Sequence, residues 1–148
     1  MIILFLSLLL SLPTSNCTQR EKIQQEFHTL ETADQIERFL KTYEETTCED
    51  IKPYLFTAHM LLAKYAFWPH QKIHHFTFGK KQLEGFLKKN PQHLEAKYLR
   101  MLVQRKCPSF LKYNANILQD RVYVLKHLKN SSLTIAYKKT ILKNTELP

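Results

Sequence analysis

The sequence predicts an all-α fold of about seven helices packed as antiparallel hairpins, and three observations predict it. Glycine is nearly absent: Gly79 and Gly85 are the only two in 148 residues. That leaves no material for Gly-rich phosphate loops, nucleotide-binding Gly fingerprints or the tight turns of a multi-hairpin sheet. Apolar side chains recur at spacings of three and four, the period of one helix face. Proline interrupts the pattern at Trp68-Pro69, Asn90-Pro91 and Cys107-Pro108, so the helices are short and the chain reverses often. With 44% hydrophobic and 24% charged residues the composition is globular, and the length suffices to bury a core without a metal or disulfides.

The chain opens with an address. Ile2 to Leu12 reads I-I-L-F-L-S-L-L-L-S-L, the length of a secretory h-region and short of the roughly 20 residues that cross a bilayer. Residues 1 to 17 are read as a signal peptide, with small residues Ser15 and Cys17 at the recognition positions and cleavage after Cys17. The alternative is lipidation of Cys17, against which Thr14 and Asn16 stand where a lipobox has Leu and a small residue. Either way the protein is exported, periplasmic or secreted, with no transmembrane segment in the mature chain.

Seven helices follow in order. Thr18-Gln-Arg-Glu21 and Thr32-Ala-Asp-Gln35 are capping-box patterns, the first ahead of Ile23, Phe27 and Leu30 and the second ahead of Ile36, Phe39, Leu40 and Tyr43. Pro53 suits the first turn of a third helix over residues 53 to 67, whose stripe is Tyr54, Ala58, Leu61, Leu62, Tyr65 and Ala66. Ile73, Phe76, Leu83, Phe86 and Leu87 carry a fourth over 73 to 89. A fifth, over 91 to 105, carries Leu94, Tyr98, Met101 and Leu102. After an aromatic connector, residues 117 to 128 and 133 to 142 read as the last two, with the serines of Asn130-Ser-Ser as caps between them.

Charge divides the chain. Residues 18 to 50 hold four basic and nine acidic side chains, a net of −5; residues 51 to 148 hold eighteen basic and four acidic, a net of +14. The predicted organisation is therefore a signal peptide (1 to 17), an acidic N-terminal helical segment (18 to 50) and a basic helical-repeat-like body (51 to 148). Such asymmetry implies that the acidic segment lies across the body or that the body meets an anionic partner.

The stretch Gly79-x-x-x-Leu83-x-x-Phe86-x-x-x-x-Pro91 has the spacing of the second helix of a tetratricopeptide repeat. Phe86 stands where the repeat prefers Ala, and Ala63 and Phe67 replace its Trp and Gly. Together with Ala63-Lys-Tyr-Ala66, Glu95-x-x-x-Leu99-Arg100 and Pro108-x-Phe110-Leu111-x-Tyr113-x-x-Asn116-Ile117-x-x-Asp120, it makes residues 54 to 125 resemble small secreted bacterial proteins of tetratricopeptide-like character and unknown function. The resemblance implies a short α-solenoid and an exported location. It implies no chemistry.

Few residues point to chemistry. His70 and His74 lie one helical turn apart, a spacing that can hold one metal. No third ligand accompanies them, so no metal and no cofactor is expected. Glu84 and Glu95 flank the Asn90-Pro91 turn near Arg100; they read as an interhelical ion network, with an acid-base cleft as the alternative. The doublets Lys80-Lys81 and Lys88-Lys89, with Tyr113 and Asn114 of the connector, are partner-binding candidates; Lys138-Lys139 is a further doublet. No catalytic residue is assigned. The expected function is a non-enzymatic interaction module for an acidic protein segment or an anionic envelope component, not nucleic acid. The alternatives are a small helical enzyme or secreted effector using the Glu84/Glu95 cleft, and a eukaryotic secreted bundle with sequons at Asn16-Cys-Thr and Asn130-Ser-Ser.

The cysteine expectation is geometric. With Cys17 assigned to the leader, Cys48 ahead of the third helix and Cys107 after the fifth fall at opposite ends of a helix about 22 Å long. A bridge needs Cα atoms within about 7 Å. No disulfide is predicted.

Overall fold

A computed structural model describes residues 17 to 146; the apolar run read as a signal peptide lies outside the described residues. Among them are seven α-helices and no strand: α1 (Arg20–Phe27), α2 (Ala33–Tyr43), α3 (Lys52–Tyr65), α4 (Pro69–Lys89), α5 (Leu94–Lys106), α6 (Ile117–Leu128) and α7 (Ile135–Thr145). The all-α class and the number of helices are as the sequence predicts.

Helix boundaries depart from expectation where an unforeseen group satisfies a helix end. The second capping box forms, the Thr32 hydroxyl accepting from Gln35 N and the Gln35 amide oxygen accepting from Thr32 N. The first does not. Gln19, not Thr18, precedes α1 without a side-chain cap, and Arg20 N donates instead to the Cys17 carbonyl. α4 begins at Pro69, a turn before the first apolar residue of its stripe, because Pro presets the helical φ and the Trp68 carbonyl receives Gln71 and Lys72 N. α5 starts at Leu94 rather than 91, since His93 Nδ1 accepts from Ala96 N at 3.1 Å. Thr134, not the serines, caps α7.

α3 is the central element, packing against α1, α2, α4 and α5. It meets α4 closely at Gly79, where a Cβ would lie 2.3 Å from the Phe56 carbonyl oxygen and 2.6 Å from Met60 Cγ. Two apolar cores result. The larger joins α1, α2, α3, α5, α6 and α7 around Ile23, Ile36, Tyr54, Leu99, Val124 and Ile141; the smaller fills the α3–α4–α5 corner with Met60, Phe76, Leu83, Phe86 and Tyr113. The acidic N-terminal segment thus shares its core with the basic body. α3 packs against α4 and α5 against α6, but α7 returns to the N-terminal side: its Tyr137 hydroxyl lies 3.3 Å from His28 Nε2 and 2.6 Å from the Tyr54 hydroxyl. An open array in which each hairpin touches only its neighbours makes no such contact.

The cysteine expectation is corrected. Cys17 and Cys48 form a disulfide with Cα atoms 5.5 Å apart across 31 residues, and the free cysteine is Cys107. Cys17 directly precedes α1 and Cys48 follows α2; the α1–α2 hairpin therefore brings its two ends together. Cys48 and Cys107 are indeed not bridged; Cys48 pairs instead with Cys17, which the sequence reading assigns to the leader. The bridge requires Cys17 to stay in the chain, so both cleavage after it and lipidation of its sulfur are incompatible with this structure.

Candidate functional site

Buried polar groups gather in two clusters, and a shallow cleft opens beside the first. Glu95, in the first turn of α5, is 1% exposed. Its carboxylate accepts from Arg20 and from Gln24 Nε2 at 2.5 Å, both on α1, and from the Tyr54 hydroxyl of α3 at 2.5 Å. The chain of hydroxyls continues through Tyr137 to His28 and Tyr98, and Asn144 Nδ2 donates to Tyr98 at 2.8 Å. Burial first, and then the Glu95 charge, pushes the Tyr54 hydroxyl far up, so it stays a donor. Burial pulls the Arg20 guanidinium down, but Glu95 and Asp50 outweigh it and the net shift is upward.

The second cluster is centred on Arg100. Its Nε and Nη2 reach Asp120 at 2.6 and 2.8 Å, and Nη1 reaches Glu84 at 3.0 Å. Asp120 is fully buried and also lies 3.6 Å from Lys97 Nζ. The Tyr113 hydroxyl donates to the other oxygen of Glu84 at 2.5 Å, and burial followed by that carboxylate pushes it strongly up. Gln104 and Asn116 close the connector, Gln104 Oε1 accepting from Asn116 N at 3.0 Å. Bidentate pairing of a guanidinium in a dry site offsets the desolvation that burial costs.

The expected trio Glu84, Glu95 and Arg100 is thus split. Arg100 holds Glu84, whereas Glu95 belongs to Arg20, because Glu95 points from the opposite side of α5 toward α1. The two carboxylates share no cleft. Asp120 takes the place given to Glu95, and its signal was in the sequence: it lies four and eight residues ahead of Val124 and Leu128 on the buried face of α6, and an acid on an apolar stripe calls for a buried cation. Arg20, Gln24 and Tyr54 had no such signal, since their meeting depends on how α1 folds back.

The cleft, of about 280 Å³, is lined by Arg20, Asp50, His93, Glu95, Ser131 and Ser132 among others. It holds serine, histidine and carboxylate together, but with the wrong polarity for nucleophile activation. His93 Nδ1 is occupied as the α5 cap, so Nε2 carries the proton and faces Asp50 Oδ1 at 3.6 Å. Burial also lowers the His93 pKa despite Glu95 and Asp50. No ring nitrogen is left to take a serine proton.

The remaining candidates lie on the surface. His70 and His74 are exposed, His70 stacked on Trp68 with centroids 6.4 Å apart and His74 beside His75. No group of three His, Cys, Asp or Glu that would hold a metal occurs among the described residues. Lys81, Lys88, Lys89 and Asn114 are exposed, while Lys80 is half-buried with its Nζ 4.7 Å above the Tyr113 ring. Tyr113 is buried, so it belongs to the Arg100 cluster rather than to a contact surface. No family model, curated protein or solved structure matches this chain.

Proposed function

We propose that this is an exported, non-enzymatic helical interaction module whose basic body docks onto an anionic partner. One observation carries the reading. Of the four acids in residues 51 to 148, Glu95 and Asp120 are buried, and Glu84 is held by Arg100 and Tyr113. Their charge is spent inside, on Arg20, Arg100 and Lys97. Lys64, Lys72, Lys81, Lys88, Lys89, Lys126 and Lys139 have no carboxylate within salt-bridge reach among the described residues. A field of one sign over a surface attracts and steers anions. The apolar leader-like run and the Cys17–Cys48 bridge support export to an oxidising compartment, with processing ahead of Cys17.

Immobilised heparin tests it. The chain should be retained at low ionic strength and released as salt screens the contact, with a K81E/K88E/K89E variant released at lower salt than wild type. Passage of the wild-type chain without retention, or retention indifferent to salt, would overturn the reading.

A further inference from the structure

Helix α6 is apolar on two sides. Its core side is Asp120, Val124 and Leu128, all buried. Leu118, Val122 and Leu125, spaced four and three, form a second stripe about a third of a turn away, at 68%, 62% and 37% exposure. α7 is similar: Tyr137, Ile141 and Thr145 face inward, and Ile135 and Leu142, seven residues apart on one side of the helix, are 76% and 46% exposed. A solvent-facing stripe at helical period is where polar residues ordinarily stand. Between Arg121 and Thr145 there is no Asp or Glu, against Arg121, Lys126, Lys129, Lys138, Lys139 and Lys143.

Resting on the anionic-partner reading above, we propose that the outer face of α6 and α7 is a docking surface for an anionic lipid bilayer, Leu118, Val122 and Leu125 entering the interface while the flanking lysines meet headgroup phosphates. Apolar ridge and cationic flank are the two parts of an interfacial helix. Charge selects among occupants. A second copy seated on the same face would set Arg121, Lys126 and Lys129 of one chain against those of the other. An acidic peptide helix wants a groove; one cleft lies between α1 and α2, and the cleft at the start of α5 borders the α6–α7 connector through Ser131, Ser132 and Leu133, not the Leu118–Leu125 stripe. A ridge outside the core matches a flat surface.

Co-sedimentation with phosphatidylglycerol–phosphatidylcholine vesicles tests this on the full mature chain with Cys17 retained. Wild type should bind these and not pure phosphatidylcholine, and an L118Q/V122Q variant, whose changed side chains are exposed and whose helix propensity is kept, should lose roughly tenfold in partition while its heparin retention is unchanged. A K126E/K129E variant should lose about as much. Equal binding to neutral vesicles overturns the proposal. So does unaltered binding by L118Q/V122Q, above all with a blue shift of Trp68, which is 56% exposed at the α3–α4 corner and would then mark the true contact. Self-association abolished by L118Q/V122Q would assign the face to a second copy instead. Heparin retention without vesicle binding removes the lipid assignment and leaves the anionic-partner reading standing; loss of both removes both.

Discussion

The two buried carboxylate clusters use the same chemistry to different ends. Around Arg100, three neighbouring elements of the body are pinned by a cation that is 9% exposed, with Nε, Nη1 and Nη2 all engaged. Around Glu95, helices far apart in sequence are joined, Arg20 reaching across 75 residues, and the cation remains 28% exposed with its Nε lacking an acceptor among the described residues. The first cluster is local, and its guanidinium is saturated. The second closes the chain on itself and keeps an edge in the cleft.

That difference predicts unequal costs for similar substitutions. Asp120→Ala strips Arg100 of two bonds and leaves it buried beside Lys97, so it should cost about 3–5 kcal/mol. Glu95→Gln keeps an amide oxygen for Tyr54, and Arg20 can turn to Asp50 and to water. About 1–3 kcal/mol is expected. Denaturant midpoints of the two variants measure the contrast, and equal losses would erase it.

Reduction sharpens the same comparison. The Cys17–Cys48 bridge spans 31 residues, and in the chain-entropy model a loop of that size stabilises by about 3.5 kcal/mol. Breaking it should lower the denaturation midpoint and, because it frees the segment that carries Arg20, make Glu95→Gln cheaper in the reduced protein than in the oxidised. Asp120→Ala should cost the same in both. A change confined to Asp120→Ala would place the bridge's influence on the wrong cluster.

What the sequence disclosed follows from range. Periodicity and prolines are local, so the helices and the α3–α4 hairpin were legible, and Gly79, the small residue of the repeat-like spacing, lies where α3 packs against it. The Glu84–Arg100 pairing was legible too, because α4 and α5 are joined by a short turn. Contacts that depend on the return of α1 and α7 were not: Arg20 to Glu95, Tyr137 to Tyr54, and Cys17 to Cys48. The last was hidden by a local signal, since the apolar run ahead of Cys17 invited its removal with the leader. His93 failed for another reason. Histidine rarely announces a helix start, and its Nδ1 cap is seen only once the backbone is placed.

One expected effect, a pH dependence through a buried histidine, belongs to one cluster alone. His28 sits at the end of the Glu95 chain, touching the Tyr98 and Tyr137 hydroxyls, and burial, with Lys106 adding, lowers its pKa to about 4. Its unfolded value is about 6.5. Between those values the unfolded chain binds a proton at His28 that the folded chain does not, so stability is complete above about pH 6.5 and is lost as pH falls toward 4, by up to about 3 kcal/mol. A difference curve isolates this one group from the rest of the acid response. His28→Gln keeps a polar group for the tyrosines and removes the titration, and its loss of stability on acidification should be shallower than that of wild type. The Arg100 cluster contains no histidine, so the same subtraction made in an Asp120→Ala background should return the same curve. A flat difference between wild type and His28→Gln would show that His28 is not held neutral, and the Glu95 side would then be no more sensitive to acid than the Arg100 side.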